Sequence, residues 1–176
     1  AMGGGRIVVR PPADDAGGPV LAGNTCLYGA TAGALYCAGS AGERFAVRNS
    51  GATAIVEGVG DHACEYMTGG TIAVLGPVGY NLGAGMTGGR AFLWDPDGLL
   101  ATRLNPALVE AARPDAELLE ELRWMVERHH ELTGSPRAAA LLDDWAGTEA
   151  DVWLVAPIDL VRRMEAQRAS RVEATA

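Results

Sequence analysis

The sequence is short of basic residues, of paired cysteines and of long apolar runs, and each shortage excludes a class of protein. Lysine and arginine together number 14 against 22 acidic residues, which gives a net charge of −8. Nucleic-acid binding needs clustered basic side chains on phosphates, so we expect no nucleic-acid partner. No apolar run has the length of a bilayer span and no signal peptide is recognisable, so we expect a cytoplasmic protein without a membrane segment.

The three cysteines are odd in number and include no C-x-x-C pair. Cys26, Cys37 and Cys64 are therefore predicted to be free, buried thiols in a reducing compartment rather than a disulfide framework. None of the three histidines is spaced to complete a zinc site with these thiols, so we predict no metal-binding residue.

Glycine is abundant, but only in the first part of the chain. Of 24 glycines, only Gly134 and Gly147 lie beyond residue 100, where Ala, Leu, Glu and Arg dominate. This shift in composition predicts a boundary near "WDPDGLL". We therefore expect a glycine-repeat domain over residues 3–98 and a largely helical tail over residues 99–176.

Two glycine runs match the dinucleotide-binding fingerprint by letter, "GAGMTGGR" at residues 83–90 and "GVGDHA" at residues 58–63. The fingerprint binds a pyrophosphate only when it follows a strand and opens a helix, with an acidic residue about 20 positions later. The first run is followed by the strand-like "RAFLWD", and the second by two more glycines that interrupt a helix. We predict no cofactor-binding residue. The remaining alternative, a nucleotide- or flavin-binding enzyme, predicts a yellow sample or a thermal shift on adding FMN or NADPH.

The glycines belong to an internal repeat. Offsetting the sequence by 37 residues places "GNTCLYGATAGALYCAGSAG" on "GDHACEYMTGGTIAVLGPVG". Within that period the hexapeptides "AGALYC", "GATAIV", "GGTIAV" and "GGRAFL" begin at residues 32, 51, 69 and 88, and "GGRIVV" begins at residue 4. Each unit has two small residues, a few strand-forming residues and a glycine turn.

A repeat of this length is too short for paired helices and suits one turn of a β-solenoid. We expect a mainly β fold, a right-handed three-sided parallel β-helix with a C-terminal α-helical tail. Each side would hold four or five extended residues, with glycines at corners where φ is positive or backbones approach closely. A calcium-binding glycine solenoid is excluded, because no Asp follows the glycine pairs at a fixed position. The side chains expected inside are Ile7, Val9, Leu35, Cys37, Ile55, Ile72, Val74 and Phe92.

The sequence of the tail predicts several helices, with typical capping residues at their ends, and one strand. N-P at residues 105–106 and S-P at residues 135–136 are typical of an N-cap followed by proline, and Gly134 of a C-cap. The stripe expected on the long helix comprises Leu118, Leu122, Met125, His129 and Leu132. "DVWLVAP" at residues 151–157 predicts a strand, with a last helix after Pro157. We expect the helices to cap an end or a side of the coil, and His129 and His130 to be structural.

Long segments also resemble a known family. "GGRIVVRPP", "GNTCLYGATAGALYCAGSAGERFAVRNSG", "IVEGVGDHACEYMTGG" and "VGYNLGAGMTGGRAFLWD" resemble the C-terminal glycine-repeat (GXGXG) domain of the glutamate synthase large subunit. "LRWMVERHHELTGSPRAAALLDDW" and "VWLVAPIDLVRRMEA" resemble the helical tail that follows it there. The resemblance covers essentially the whole chain.

The resemblance implies a structural domain packed beside the amidotransferase and FMN- and iron–sulfur-binding domains of a cytoplasmic oxidoreductase. That enzyme makes two glutamates from glutamine and 2-oxoglutarate. Neither the family's N-terminal catalytic cysteine nor its cluster-binding cysteines has a match here. We therefore expect no catalytic residue and no activity in the isolated chain, with FMN and the cluster held by other domains of the same or a partner chain.

Two further expectations follow from the resemblance. The alternative to a domain of the large synthase is a free-standing glycine-repeat subunit of a related complex. Examples of such complexes are an N-methylglutamate synthase and a formylmethanofuran dehydrogenase-like complex. The helical tail favours the large synthase. In the family several coils precede the segment similar to "GGRIVVRPP". Residues 3–5 would then form an open solenoid end, through which we expect the isolated chain to self-associate.

Overall fold

The structure is a computed structural model that describes residues 2–12 and 19–175, with side chains up to residue 170. In chain order the elements are β1 (Gly3–Val9), β2 (Val20–Ala22), β3 (Ala32–Ala41), β4 (Ser50–Val59), β5 (Thr68–Val74), β6 (Gly88–Trp94), α1 (Leu100–Arg103), β7 (Val109–Ala112), α2 (Ala116–Thr133), α3 (Pro136–Asp143), α4 (Trp145–Ala150), β8 (Val152–Pro157) and α5 (Ile158–Thr175).

Strands β1, β3, β4, β5 and β6 lie side by side in parallel. One row of partners runs from Leu35 to Ala54, then to Ile72 and Ala91. The steps along this row are those of the sequence repeat, because each step is one circuit of the chain. The fold is a β-solenoid of about four turns, so the predicted mainly β class and the predicted repeat are confirmed.

Two sides of each turn are extended. The first side carries the row just described. The second side is formed by β2 and by the C-terminal ends of β3 and β4, where Ser40 pairs with both Val20 and Gly58. A register shift between Cys37 and Ser40 marks the corner between the two sides.

The third side was expected to be extended, and this is wrong. It occupies residues 24–29, 43–48, 61–66 and 81–86, where every second residue has a positive φ between 53° and 71°. The residues concerned are Thr25, Leu27, Gly29, Arg44, Ala46, Arg48, His62, Cys64, Tyr66, Asn81, Gly83 and Gly85. Backbone bonds still join the turns, since Ala46 N donates to Cys26 O at 2.9 Å and Cys64 N to Phe45 O at 2.8 Å. These bonds help offset the cost of left-handed backbone at non-glycine residues.

The first side is buried on both of its faces, which corrects part of the predicted core. Leu35, Cys37, Ile72 and Val74 point into the coil as predicted, together with Ala54, Val56, Ala91 and Leu93. Ile55 and Phe92 instead face outward, where they form a second hydrophobic cluster with side chains of α2 and β8. Val9 is half-buried against the inner core, and Ile7, which pairs with Leu35, is 47% exposed. Both faces of these strands carry apolar side chains. The size of a side chain therefore does not indicate whether it points into the coil or away from it.

The tail closes the coil with strands as well as helices. Strand β8 pairs antiparallel with β6, and β7 pairs with β8. Helix α2 runs from an Asp115 N-cap to Gly134, whose φ of 70° makes it the predicted C-cap, and Ser135 caps α3 as predicted. The prediction of a helix after residues 105–106 is wrong. Asn105 Oδ1 accepts a bond from Ala107 N at 3.2 Å, and this turn leads into β7 because the chain pairs with β8 instead.

Strand β8 continues the sheet across the boundary expected after residue 98, and the division into two domains stays a prediction. Over the part of the chain that is described, no helix combines the length and the apolar character needed to cross a membrane.

Candidate functional site

The most concentrated buried polar chemistry is a group we call the Glu57 cluster, made of Glu57, His129, Ser135 and Arg137. Ser135 Oγ donates a hydrogen bond to Glu57 Oε1, and His129 Nε2 donates to the same oxygen at 3.3 Å. Arg137 Nε lies 3.9 Å from Glu57 Oε2. Glu57 is on β4, and its three partners come from α2, from α3 and from the two-residue junction between these helices. The cluster therefore ties the helices to the coil.

The carboxyl group of Glu57 is ionised because of these partners. Burial alone raises the pKa of Glu57. The hydrogen bonds from His129 and Ser135, with the electrostatic effects of the nearby His129 and Arg137 side chains, outweigh burial and hold the pKa below its ordinary value of 4.5. A carboxylate buried in this way needs its donors, since a buried charge without partners is strongly destabilising.

The capping residues at the junction of α2 and α3 position the hydrogen-bond donors to Glu57. Gly134 ends α2 in the left-handed region, and Ser135 follows as the N-cap of α3, so its hydroxyl accepts from Ala138 N at 3.0 Å while it donates to Glu57. Thr133 Oγ1 donates to His129 O at 2.6 Å, and the His129 ring stacks on Tyr36 with centroids 6.4 Å apart. The ring and the hydroxyl are thus fixed by the helix junction.

The cluster contains the residue types of a serine hydrolase, but not their order. In a hydrolase the histidine lies between the serine and the acid and takes the proton of the nucleophile. Here the carboxylate lies between Ser135 and His129, and both side chains are buried. His129 Nδ1 is buried without a hydrogen-bond partner among the described residues. The geometry suits mechanical attachment rather than nucleophilic attack.

The two fingerprint-like glycine runs take part in the coil. Gly83 and Gly85 lie on the third side with φ values of 71° and 69°, and Gly88 opens strand β6. Gly58 belongs to β4, and the third side follows Gly60. Neither run opens a helix, so neither presents the row of helix N-terminal amides that holds a pyrophosphate. The prediction of no cofactor-binding residue stays a prediction.

The cysteines and the other two histidines make no hydrogen bond to Glu57 among the described residues. Cys37 and Cys64 are buried and Cys26 is half-buried, and all three are free. Burial raises the pKa of Cys64 to about 12, and burial together with the nearby Glu57 carboxylate raises the pKa of Cys37 to about 11.

The two remaining histidines make local contacts. His62 Nδ1 lies 2.7 Å from Glu65 Oε1, and His130 Nδ1 donates to Ser135 O at 3.1 Å. Among the side chains of residues 2–12 and 19–170, no three acidic, histidine or cysteine residues group closely enough to hold a metal ion.

Sequence reasoning identified Ser135 only as a cap and did not single out Glu57. A signal was present, because Glu57 is the one acidic letter in the apolar strand "GATAIVEGV". An acidic residue on a strand buried on both faces requires donors. The sequence alone does not say that His129 and Ser135, more than 70 residues away, supply them.

The comparison with known families decides the classification. A family model described as "GXGXG motif" matches residues 1–158. The chain belongs to the GXGXG family. This GXGXG chain is 51% identical over 160 residues to ferredoxin-dependent glutamate synthase 2 of Synechocystis sp., covering 89% of the chain and 10% of that relative.

Other relatives give the same picture for the GXGXG chain. It is 49% identical to ferredoxin-dependent glutamate synthase 1 of Arabidopsis thaliana, with 89% of the chain and 10% of the relative covered. Against glutamate synthase [NADH] of Schizosaccharomyces pombe the identity is 41%, with 98% and 8% covered. The chain therefore spans about a tenth of the length of the curated relatives it matches, and is similar to a segment of glutamate synthases.

Proposed function

We propose that this chain is the non-catalytic structural domain of a cytoplasmic glutamate synthase. In this role it holds the amidotransferase domain and the FMN-binding synthase domain at a fixed distance and angle, so that ammonia released from glutamine reaches 2-oxoglutarate internally. FMN and the iron–sulfur cluster are bound by those other domains. The observation that carries the proposal is the Glu57 cluster. The side chains of this cluster, the main buried polar group of the described residues, bond to one another and so hold the helices against the coil.

The architecture supports a rigid spacer. Adjacent turns are joined by backbone hydrogen bonds on the extended sides and on the third side. Helix α2 covers the outer face of the first side, and β8 pairs with β6, so the tail and the coil share two hydrophobic clusters. The buried, free thiols fit a reducing compartment such as the cytoplasm.

The test uses a full-length glutamate synthase that carries this chain, with the substitution Glu57→Gln. A scaffold role predicts that glutamine hydrolysis alone, and glutamate formation from added ammonia alone, each stay within about twofold of the parent. The amount of glutamate formed per glutamine hydrolysed should fall, because the two active sites are no longer held at a fixed distance and angle.

The matched control is Glu127→Gln, which removes only an exposed pair with Arg123 and should leave the coupling intact. If Glu57→Gln abolished one half-reaction while leaving the other untouched, the domain would contribute directly to that active site. A purified 176-residue chain that bound FMN and turned yellow would also contradict the proposal.

We further propose that the chain, produced alone, self-associates through strand β1. Ile7 and Val8 of this strand are 47% and 38% exposed, and the outer edge of β1 pairs with no other described strand. An unpaired strand edge beside exposed apolar side chains favours pairing with a second molecule. Size exclusion with light scattering should show species larger than a monomer, and a monodisperse monomer at high concentration would contradict this.

A further inference from the structure

The outward face of the third side is open to solvent at its middle. Five outward side chains, which we call the tyrosine face, lie on this side or at its edge: Arg44, Arg48, His62, Tyr66 and Tyr80. Tyr66 and Tyr80 are 56% and 54% exposed, and the His62 side chain is 41% exposed. Helix α2, by contrast, covers the outer face of the first side. The tyrosine face is therefore accessible to another molecule or domain.

Tyrosine is concentrated on this side of the coil. The chain has four tyrosines, of which Tyr36 is buried. The three exposed ones, Tyr28, Tyr66 and Tyr80, all lie on the third side or directly beside it. Tyrosine and arginine are enriched at the centres of protein interfaces and among the residues that contribute most to binding. The composition of the tyrosine face therefore indicates a protein partner.

The two rings of the tyrosine face are held in place by their surroundings. The Tyr66 ring lies against Gly85 of the next turn, where an added Cβ would be 2.5 Å from Tyr66 Cδ1. The Arg103 guanidinium lies over the Tyr80 ring, with its central carbon 4.1 Å from the ring centroid. Side chains that are already ordered lose little conformational entropy on binding. Both rings are thus preorganised for contact.

The coil itself does not require these side chains. Arg48 and Tyr66 have φ values of 56° and 53°, and glycine occupies the equivalent position on the first and last turns, as Gly29 and Gly85. Left-handed backbone is unfavourable for residues that carry a Cβ, and residues held there occur often at functional sites. We therefore attribute these two side chains to binding rather than to folding.

The unpaired charges on the third side are mainly positive. Arg44 and Arg48 make no side-chain hydrogen bond or ion pair among the described residues. Asp61 and Glu65 are engaged by hydrogen bonds within the side, and Glu43 is the remaining acidic residue there. A partner that fits this face presents hydrogen-bond acceptors to the two guanidiniums, since bonds from a guanidinium to a carboxylate are strong and charge-assisted.

We propose that the tyrosine face is the surface through which this chain docks on another domain of its synthase polypeptide. The partner domain receives the rings of Tyr66 and Tyr80 in apolar recesses and presents acceptors to Arg44 and Arg48. This inference rests on the proposed scaffold role. The chain matches only 10% of the length of its curated relatives, so a protein of their kind has most of its length available to cover this face.

Hydroxyl-radical oxidation followed by mass spectrometry measures the exposure of single side chains and tests the proposal. The 176-residue chain at low micromolar concentration is compared with a full-length glutamate synthase that carries it. We expect oxidation of Tyr66 and Tyr80 to be at least about fivefold slower in the full-length protein, because the centre of an interface excludes water. Oxidation of Trp124, which is 60% exposed on α2, should stay within about twofold.

The possible failures separate this inference from the scaffold role. Unchanged oxidation of Tyr66 and Tyr80, with protection elsewhere on the chain, would overturn the docking face and leave the scaffold role intact. Unchanged oxidation of every side chain would contradict both. Equal protection of Tyr66, Tyr80 and Trp124 would overturn the assignment of docking to the third side.

Variants test whether the face holds the partner. Asparagine tolerates a positive φ, so Tyr66→Asn, and Arg44→Asn combined with Arg48→Asn, should keep the urea midpoint of the 176-residue chain. In the full-length protein each change should raise the oxidation of Tyr80 at least about threefold, toward its rate in the isolated chain. The control Arg123→Gln, at an exposed arginine of α2, should leave Tyr80 unchanged.

The arginine pair carries this test if Tyr66→Asn lowers the midpoint, because the Tyr66 ring also packs on Gly85. Unchanged oxidation of Tyr80 in the folded arginine variant would overturn the proposal, and so would an equal rise in the Arg123→Gln control.

Discussion

Gly70 shows what a corner of the solenoid requires of one residue. Its φ is +89°, which side chains with a Cβ rarely adopt. A Cβ at this position would overlap the carbonyl oxygen of Ala52 on the previous turn and lie 2.6 Å from Nδ2 of Asn49. Positive φ and close approach to the neighbouring turn were both expected at such corners. The structure places both at the same residue.

Substituting Gly70→Val or Gly89→Val should destabilise the chain by at least about 3 kcal/mol, measured as the free energy of unfolding in urea. Gly89 has a φ of +77°, and a Cβ there would lie 2.8 Å from the Gly69 carbonyl carbon. The control is Gly23→Val, because φ at Gly23 is not positive and no described atom would lie within 4 Å of an added Cβ. This substitution should lower the free energy of unfolding by less than about 1 kcal/mol. Equal effects at Gly23 and Gly70 would mean that the corner geometry is wrong.

Glu57 makes stability depend on pH in a direction that its environment determines. Because its folded pKa lies below the ordinary 4.5, the unfolded chain takes up a proton first as the pH falls. The stabilisation is complete above the unfolded pKa and is lost as the pH falls through the folded value. Glu57→Gln should therefore lower the free energy of unfolding by about 2 kcal/mol at neutral pH, with a smaller difference from the parent below about pH 4.

Urea titrations of both proteins across this range provide the measurement. Glu127→Gln alters an exposed ion pair, so its difference from the parent should stay within about 0.5 kcal/mol at each pH. A Glu57→Gln difference that stays constant down to acid pH would show that the ionised form of Glu57 is not what stabilises the junction.

At the scale of the element, the third side departs from ordinary β structure. Its left-handed residues include Arg44 at a φ of 60°, which is exposed and has no side-chain hydrogen bond among the described residues. In a β-strand, valine is favoured over glycine. In the left-handed region the order is reversed, because a β-branched side chain collides with the backbone while glycine does not.

Arg44→Val should therefore be less stable than Arg44→Gly by about 1–2 kcal/mol in thermal or urea unfolding. Arg44→Gly itself should lie within about 0.5 kcal/mol of the parent, since relief of the positive φ balances the added freedom of the unfolded chain. The matched helix substitution Arg123→Gly in α2 should cost about 1 kcal/mol. A valine variant more stable than the glycine variant would indicate an extended third side.

The elements that the sequence predicted correctly are those whose signals are local. Gly134 and Ser135 carry their cap chemistry within one turn of helix, and the hexapeptide spacing measures one circuit of the chain. Two of the errors arose where a partner distant in the sequence determines the local structure. The signal at residues 105–106 was overruled by pairing of β7 with β8, and Ile55 was placed on the wrong face because α2 makes that face apolar too.

At the scale of the whole molecule, the same limit applies to the Glu57 cluster. The repeat predicts where β4 runs, but not that α2 and α3 return to cover it. Only that return brings His129 and Ser135 to Glu57. Short-range patterns in the sequence therefore determine the coil, while the Glu57 cluster lies where the tail meets it.

The tail also makes the stack of turns asymmetric in stability. In a solenoid each turn contacts only its neighbours, so terminal turns open first. Strands β1 and β6 each have seven residues and flank the central strands, yet β6 is paired with β8 and β1 has β3 as its single described partner.

Native-state hydrogen exchange at low micromolar concentration, where self-association is weak, should therefore show a one-sided gradient. Amides of β4 and β5 should exchange most slowly, those of β6 nearly as slowly, and those of β1 at least about tenfold faster than those of β6. Exchange in β1 as slow as in β6 would mean that the molecule opens as a single unit. Exchange in β6 as fast as in β1 would mean that the tail does not hold the end of the coil.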